Sequence, residues 1–171
     1  MLSGTCGEGG VGAAPAGAWG MRTVLLRSGI VLSGTGGALG KMLLPFKMGA
    51  GGPMAGGKQW MSWISLDDEI YAIHHLLMNG GSKGVYNLTA PNPSRQKGFA
   101  KTLGRVLGRP AFAPLPGFVV RILFGEMGVK LTLESQKVLP NRLLEEGFEF
   151  IHPDLEVALT DTLGAWRDLK I

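Results

Sequence analysis

A chain of 171 residues is long enough to bury a real core as one domain, and 45% hydrophobic with 18% charged residues is a globular composition rather than a disordered one. The net charge of +4 comes from Lys and Arg scattered along the chain without a long basic run, which excludes a dedicated nucleic-acid surface. A single cysteine, Cys6, excludes a disulfide framework. The sequence has no run of 18 apolar residues and no basic-then-apolar leader, so neither a membrane span nor a secretory signal is expected, and the cytoplasm is the expected compartment.

Residues 1–20 hold seven Gly and a single charge, Glu8, and read as a flexible tail. Gly7-Glu8-Gly9-Gly10-Val11-Gly12 satisfies the spacing G-x-G-x-x-G. That spacing cradles a dinucleotide only between a strand and a helix, and neither is readable beside it. The soft metal ligands are Cys6, His74, His75 and His152. Adjacent histidines on a helix cannot face one point, so no metal is expected.

Thr23 to Leu32 is an apolar, β-branched run, expected to be a buried, parallel strand. Ser28-Gly29 interrupts it, either as a simple bulge or to let another backbone or a ligand come close. After a Gly34–Gly37 loop, a short helix is expected from Ala38 to Phe46. Lys47 to Lys58 is a long glycine-rich loop. Within it Gly52 to Lys58 reads G-x-x-x-x-G-K, but Gln59 stands where a magnesium-binding hydroxyl belongs and a strand follows where a phosphate loop needs a helix. Lys58 to Asp68 runs from strand to helix start. Trp60, Ser62 and Ile64 alternate with Met61, Trp63 and Ser65, and Ser65 with Asp68 forms a capping-box pattern. The helix Asp67–Met78 is expected to bury Ile70, Ile73, Leu77 and Met78 and to stop at Gly80-Gly81.

Gly84–Leu88 is a short strand. Ser94 is placed to cap a helix with an inward stripe of Phe99, Leu103, Val106 and Leu107, closed by Gly108. Ala111 to Pro116 is extended, Gly117 to Phe124 is apolar nearly all round, and Thr132 to Val138 is a further helix candidate. Pro140 and Gly147 bracket another short helix, Phe148-Glu149-Phe150 is strand-like, and Asp154 opens a last helix facing inward through Leu155, Ala158, Leu159, Leu163 and Trp166. About three or four strands against about six helices give an α/β fold with a small or incomplete sheet.

Specific segments of residues 22–169 resemble a known family. They are Arg22-Thr-Val-Leu-Leu-Arg-Ser-Gly-Ile-Val-Leu, Gly36-Gly37-Ala38-Leu39 with Leu44-Pro45-Phe46, Gly51-Gly52-Pro53, Gln59-Trp60 with Trp63-Ile64 to Asp67-Asp68, Thr132 to Pro140, and Glu146-Gly-Phe-Glu-Phe. In this order they are similar to the C-terminal half of the atypical short-chain dehydrogenase/reductase epimerase family, the sugar-nucleotide epimerase-like proteins with a C-terminal DUF1731 domain. The resemblance implies the C-terminal part of a Rossmann-like doubly wound sheet plus a small, mostly helical domain. It divides the chain into a tail at 1–20, late Rossmann-like elements at 21–90 and a DUF1731-like part at 91–171.

The resemblance also implies NAD or NADP as cofactor, Arg27, Ser28 and Gly29 near its nicotinamide end, and Gln59, Trp60 and Trp63 along a substrate cleft. The bland readings stand beside these: Arg27 paired with Asp67 or Asp68, and the Trp pair filling space. A complete relative also carries a glycine-rich pyrophosphate turn and a Tyr-x-x-x-Lys acid/base pair. Here Tyr71 is followed four residues on by His75, Tyr86 by Ala90, and the family's His of Trp-Ile-His is Ser65. The expectation is a truncated oxidoreductase, not catalytic alone and not binding the dinucleotide alone, whose partner is a missing N-terminal Rossmann half or a second copy. An assembly module is the alternative. No Ser/His/Asp, Cys/His or paired-carboxylate set points to an unrelated enzyme.

Overall fold

The computed structural model describes residues 19–113, 135 and 137–168. The apolar run at residues 23–32 forms two consecutive strands, β1 (Val24–Ser28) and β2 (Ile30–Leu32), separated by Gly29. Strand β1 pairs in parallel with β5 (Gly84–Leu88), from Val24 opposite Gly84 to Ser28 opposite Leu88. Strand β2 pairs in parallel with β4 (Trp63–Ser65), from Ile30 opposite Trp63 to Leu32 opposite Ser65. The chain changes partner at Gly29, whose N–H donates to the Leu88 carbonyl at 2.9 Å while the N–H of Ile30 donates to the Ser62 carbonyl at 2.9 Å. The short β3 (Trp60–Met61) and β6 (Ser94–Arg95) form an antiparallel pair.

The strands separate two apolar clusters. Successive side chains of a strand point to opposite faces, so Leu32 and Trp63 enter one cluster while Val31 and Ile64 enter the other. The first cluster is closed by α1 (Gly37–Lys47), α3 (Gln96–Leu107) and α5 (Leu155–Asp168), through Leu39, Phe46, Phe99, Leu103, Leu159 and Leu163. The second is closed by α2 (Leu66–Met78) and α4 (Asn141–Glu145), through Ala72, Leu76 and Leu143. Helices on both faces of parallel strand pairs make the α/β layering expected from the alternation of elements.

Several expectations need correction. Helix α2 starts one residue earlier than expected and turns a different face inward. Asp68, Glu69, Ala72 and Leu76 are buried, whereas Ile70, Leu77 and Met78 are 55%, 66% and 74% exposed. Of the expected stripe, Ile73 packs against the second cluster. Ser94 belongs to β6, and α3 begins after Arg95 with no side-chain cap. Phe148 to Phe150 is not a strand. Its two rings meet edge to face at 4.9 Å, and Phe148 meets the His75 ring at 5.5 Å. Residues 135, 137 and 138 are not helical. The tail expected at 1–20, apart from its last two residues, the apolar segment 117–124, residues 132–134 and the Trp166 side chain lie outside the described residues.

The rotation of α2 is set at its first turn. Ser65 Oγ accepts the Asp68 N–H at 3.0 Å, which is the expected cap. The reciprocal half of the capping box is replaced. The Asp68 carboxylate, fully buried, accepts the Ser65 hydroxyl at 2.8 Å and the backbone N–H groups of Ile151 and His152 at 2.7 and 3.0 Å. At the other end of α2, the Arg22 guanidinium donates to the carbonyls of Leu76, Leu77 and Ser82 and so satisfies acceptors that a helix C-terminus leaves open.

A second lock centres on Glu146, at the C-terminal cap of α4. It accepts hydrogen bonds from the hydroxyls of Ser82, at 2.6 Å, and Tyr86 and from Asn79 Nδ2 at 3.2 Å. Burial alone pushes this carboxyl up, but the hydrogen bonds from Ser82, Tyr86 and Asn79 and the nearby His75 outweigh it and hold its pKa below the ordinary carboxylate value. The guanidinium of Arg142 lies 4.1 Å over the Tyr86 ring and donates to the Val85 and Lys83 carbonyls.

Two outcomes follow from this packing. A Cβ at position 29 lies 2.7 Å from the Ser62 carbonyl oxygen, a backbone atom with nowhere to go. Gly29→Ala therefore lowers stability by about 1–3 kcal/mol, read from the shift of the urea midpoint. Glu146 stabilises the fold above the ordinary carboxylate pKa, and this contribution disappears as pH falls through its lower folded value. Glu146→Ala is destabilised by about 1–3 kcal/mol at neutral pH, and the difference narrows in acid-unfolding curves.

Candidate functional site

In parallel sheets, ligands meet the carboxyl ends of the strands. The carboxyl end of β1 presents Ser28 and Gly29, and the carboxyl end of β5 runs into the buried Thr89 and Ala90. Ser28 Oγ donates to Glu69 Oε1 at 2.5 Å. Glu69 reaches this point from the first turn of α2 and is buried, and its Oε2 has no hydrogen-bond partner. Burial raises the Glu69 pKa above the ordinary carboxylate value, and the Ser28 hydrogen bond only partly opposes that. Arg27 is exposed and forms no ion pair among the described residues. Asp68, one of its two expected partners, is already engaged by Ser65, Ile151 and His152. At Gly29 the close approach is made by the Ser62 backbone.

The residues expected along a cleft separate into three environments. Trp63 is fully buried in the first cluster, with its indole N–H donating to the Asn92 carbonyl at 3.1 Å. Gln59 is buried and donates from Nε2 to the Met54 carbonyl at 3.1 Å. Gln96 Oε1 accepts the Met54 N–H at 2.9 Å, so the two glutamines pin the end of the glycine-rich loop. Trp60 is half-buried, with the Arg95 guanidinium 4.0 Å and the Lys137 ammonium 4.9 Å from the centre of its ring. Cations over an indole face are held by its quadrupole. An open cavity of about 630 Å³ runs along α1, lined by Thr35, Gly36, Gly37, Lys41 and Lys47 among others.

Glu69, Arg95 and Lys137 were not read from the sequence as site residues. The only local signal was the acidic first turn of α2, which reads equally well as a dipole partner. Where the family resemblance implies a His, this chain has Ser65, yet an imidazole is present: His152 Nδ1 lies 3.2 Å from Ser65 Oγ.

The paired parallel strands and the helices on both faces define an α/β protein of Rossmann type, matching the C-terminal part of epimerase structures. More particularly, the chain matches the C-terminal half of the short-chain dehydrogenase/reductase epimerase family that carries a DUF1731 domain. Residues 115–162 match the family described as a domain of unknown function, DUF1731. Over 139 residues the chain is 48% identical to the chloroplastic homolog of epimerase family protein SDR39U1 from Arabidopsis thaliana, covering 81% of this chain and 40% of that protein. Over 143 residues it is 44% identical to human epimerase family protein SDR39U1, covering 84% and 49%. The crystal structure of human SDR39U1 (isoform 2) with NADPH matches with a TM-score of 0.78 and 42% identity, over 84% of this chain and 49% of that one. UDP-glucose 4-epimerase of Thermotoga maritima, 18% identical with a TM-score of 0.67, shares the fold. The chain thus spans about half the length of the curated relatives it matches. No helix among the described residues is long and apolar enough to cross a membrane.

Replacing the buried, raised-pKa carboxylate with its neutral isostere removes a desolvated charge. Glu69→Gln is therefore expected to raise the melting temperature at neutral pH by about 2–4 °C, equivalent to about 1 kcal/mol, in a calorimetric comparison with the parent chain.

Proposed function

We propose that these 171 residues supply the substrate-side half of an NAD(P)-dependent epimerase/dehydratase-like oxidoreductase and are not catalytically competent alone. The observation that carries this reading is the half-length match, at 42% identity, to human SDR39U1, a protein solved with NADPH. In this reading residues 21–90 are the late Rossmann elements and residues 91–171 the DUF1731-like part. Arg27, Ser28 and Gly29 face the nicotinamide end of NADPH or NADH. Trp60 forms one wall of the substrate cleft, while the buried Gln59 and Trp63 hold the glycine-rich loop and the core. The stacked cations Arg95 and Lys137 suit that wall to an anionic substrate. The pyrophosphate cradle and the Tyr–Lys acid/base pair belong to the half of the fold that precedes these elements in the relatives. The single cysteine suits a reducing compartment such as the cytoplasm.

A second reading, that of an assembly module, is favoured by one surface. Among the described residues β1 pairs on one edge only, and α2 leaves Ile70, Tyr71, Leu77 and Met78 exposed. An open strand edge and an uncovered apolar face invite a Rossmann half carried on another chain, or a second copy.

The test is titration of the purified chain with NADPH and NADH, followed by fluorescence or calorimetry, with size-exclusion chromatography on the same sample. We expect no dinucleotide binding and a self-associated species. Stoichiometric micromolar binding overturns the first reading, and a strictly monomeric, well-behaved chain overturns the self-association arm of the second.

A further inference from the structure

We infer that Asp67, His152 and Asp161 form a binding site for a zinc-type divalent transition metal, which clips the C-terminal segment to the start of α2. One ligand atom from each of the three lies within 4.8 Å of the others. Their elements are far apart in sequence: Asp67 is in the first turn of α2, His152 follows Phe148 to Phe150, and Asp161 is on α5.

The hydrogen-bond pattern assigns the histidine tautomer. The one Ser65 hydroxyl proton goes to Asp68 Oδ2 at 2.8 Å. Toward His152 Nδ1, at 3.2 Å, Ser65 Oγ therefore offers only a lone pair, so Nδ1 carries the proton. In the neutral ring this leaves Nε2 bare. His152 is 7% exposed, and Asp161 Oδ2, itself an acceptor, lies 3.4 Å from Nε2. Two facing lone pairs are reconciled by a cation between them, a proton on Nε2 or a metal ion, and the third ligand atom, from Asp67, favours the metal ion.

The 3.4 Å spacing of His152 and Asp161 suits a metal ion. Two ligand atoms about 2.0–2.2 Å from one tetrahedral zinc stand about 3.4 Å apart. The proton on Nδ1, held by Ser65, is the outer contact that fixes a ligating imidazole in its coordinating orientation. One imidazole with two carboxylates suits zinc better than magnesium, and two negative charges balance the ion. Asp67 and Asp161 are exposed, which leaves the fourth position to water. No metal was expected from the sequence because only the histidines and Cys6 were weighed there. The fold adds two carboxylates from distant segments.

The test is calorimetric titration of zinc into the metal-free chain, folded by circular dichroism, with Co²⁺ absorption as a second readout and the melting temperature followed against zinc concentration. We expect one ion per chain, a melting temperature that rises with zinc, and unchanged binding in His74→Asn, a control on the exposed side of α2. Loss of even an outer contact of a metal ligand costs about 10–100-fold in affinity, so Asp161→Asn and Asp67→Asn each weaken zinc by more than about ten-fold. The Asp161 side chain is 60% exposed, so its substitution leaves the fold intact. A folded chain that takes up no zinc overturns the inference. Zinc binding that survives both aspartate substitutions overturns it as well.

Discussion

The architecture depends on a close backbone approach at Gly29. The Ser62 carbonyl accepts the Ile30 N–H at 2.9 Å and occupies the space a side chain at position 29 would need. Because that approach is possible, one apolar run serves two neighbours: β5 before the glycine and β4 after it. The change of partner sends Leu32 and Trp63 to one apolar cluster and Val31 and Ile64 to the other. It also leaves Ser28 at the end of a ladder, where its hydroxyl is free to turn to Glu69 rather than being covered by the next strand pair.

Two buried or half-buried carboxylates join the later part of the chain to this frame. Asp68 holds Ile151 and His152 by their backbone N–H groups, and Glu146 gathers Ser82, Tyr86 and Asn79. A carboxylate that accepts several donors has its desolvation largely offset. Glu69 is the contrast, with one donor on one oxygen and none on the other. That difference separates carboxylates that hold the fold from one that is left with unused accepting capacity at the strand ends.

Much of the fold was legible because its signals are local. Ser65 three residues before Asp68 marks the start of α2, Gly108 at φ 63° closes α3, and the Ser28-Gly29 break marks the change of partner. The inward face of α2 was not legible. Its rotation is set by Asp68, whose partners lie 83 and 84 residues away, so Ile70, Leu77 and Met78 turn outward despite their spacing. Phe148 and Phe150 have strand composition, but their rings pack on each other and on His75 instead of joining a ladder. At the candidate site, Ser28 and Gly29 could be read from the break and the family resemblance. Glu69 could not, because nothing local distinguishes it from an ordinary acidic first turn. Trp60 and Trp63 look alike in sequence, yet one has two cations over its ring and the other is sealed in the core.

The long reach of Asp68 also bears on how the chain is made. A ribosome releases α2 well before Ile151 and His152, at about 5–20 residues per second, so this carboxylate spends several seconds without two of its donors. Over that interval the first turn of α2 lacks the contacts that draw Asp68 out of water. The helix can form early from its Ser65 cap, but its first turn is locked only when Ile151 and His152 arrive. Nascent α2 is therefore a helix waiting for its address, which arrives 83 and 84 residues after Asp68.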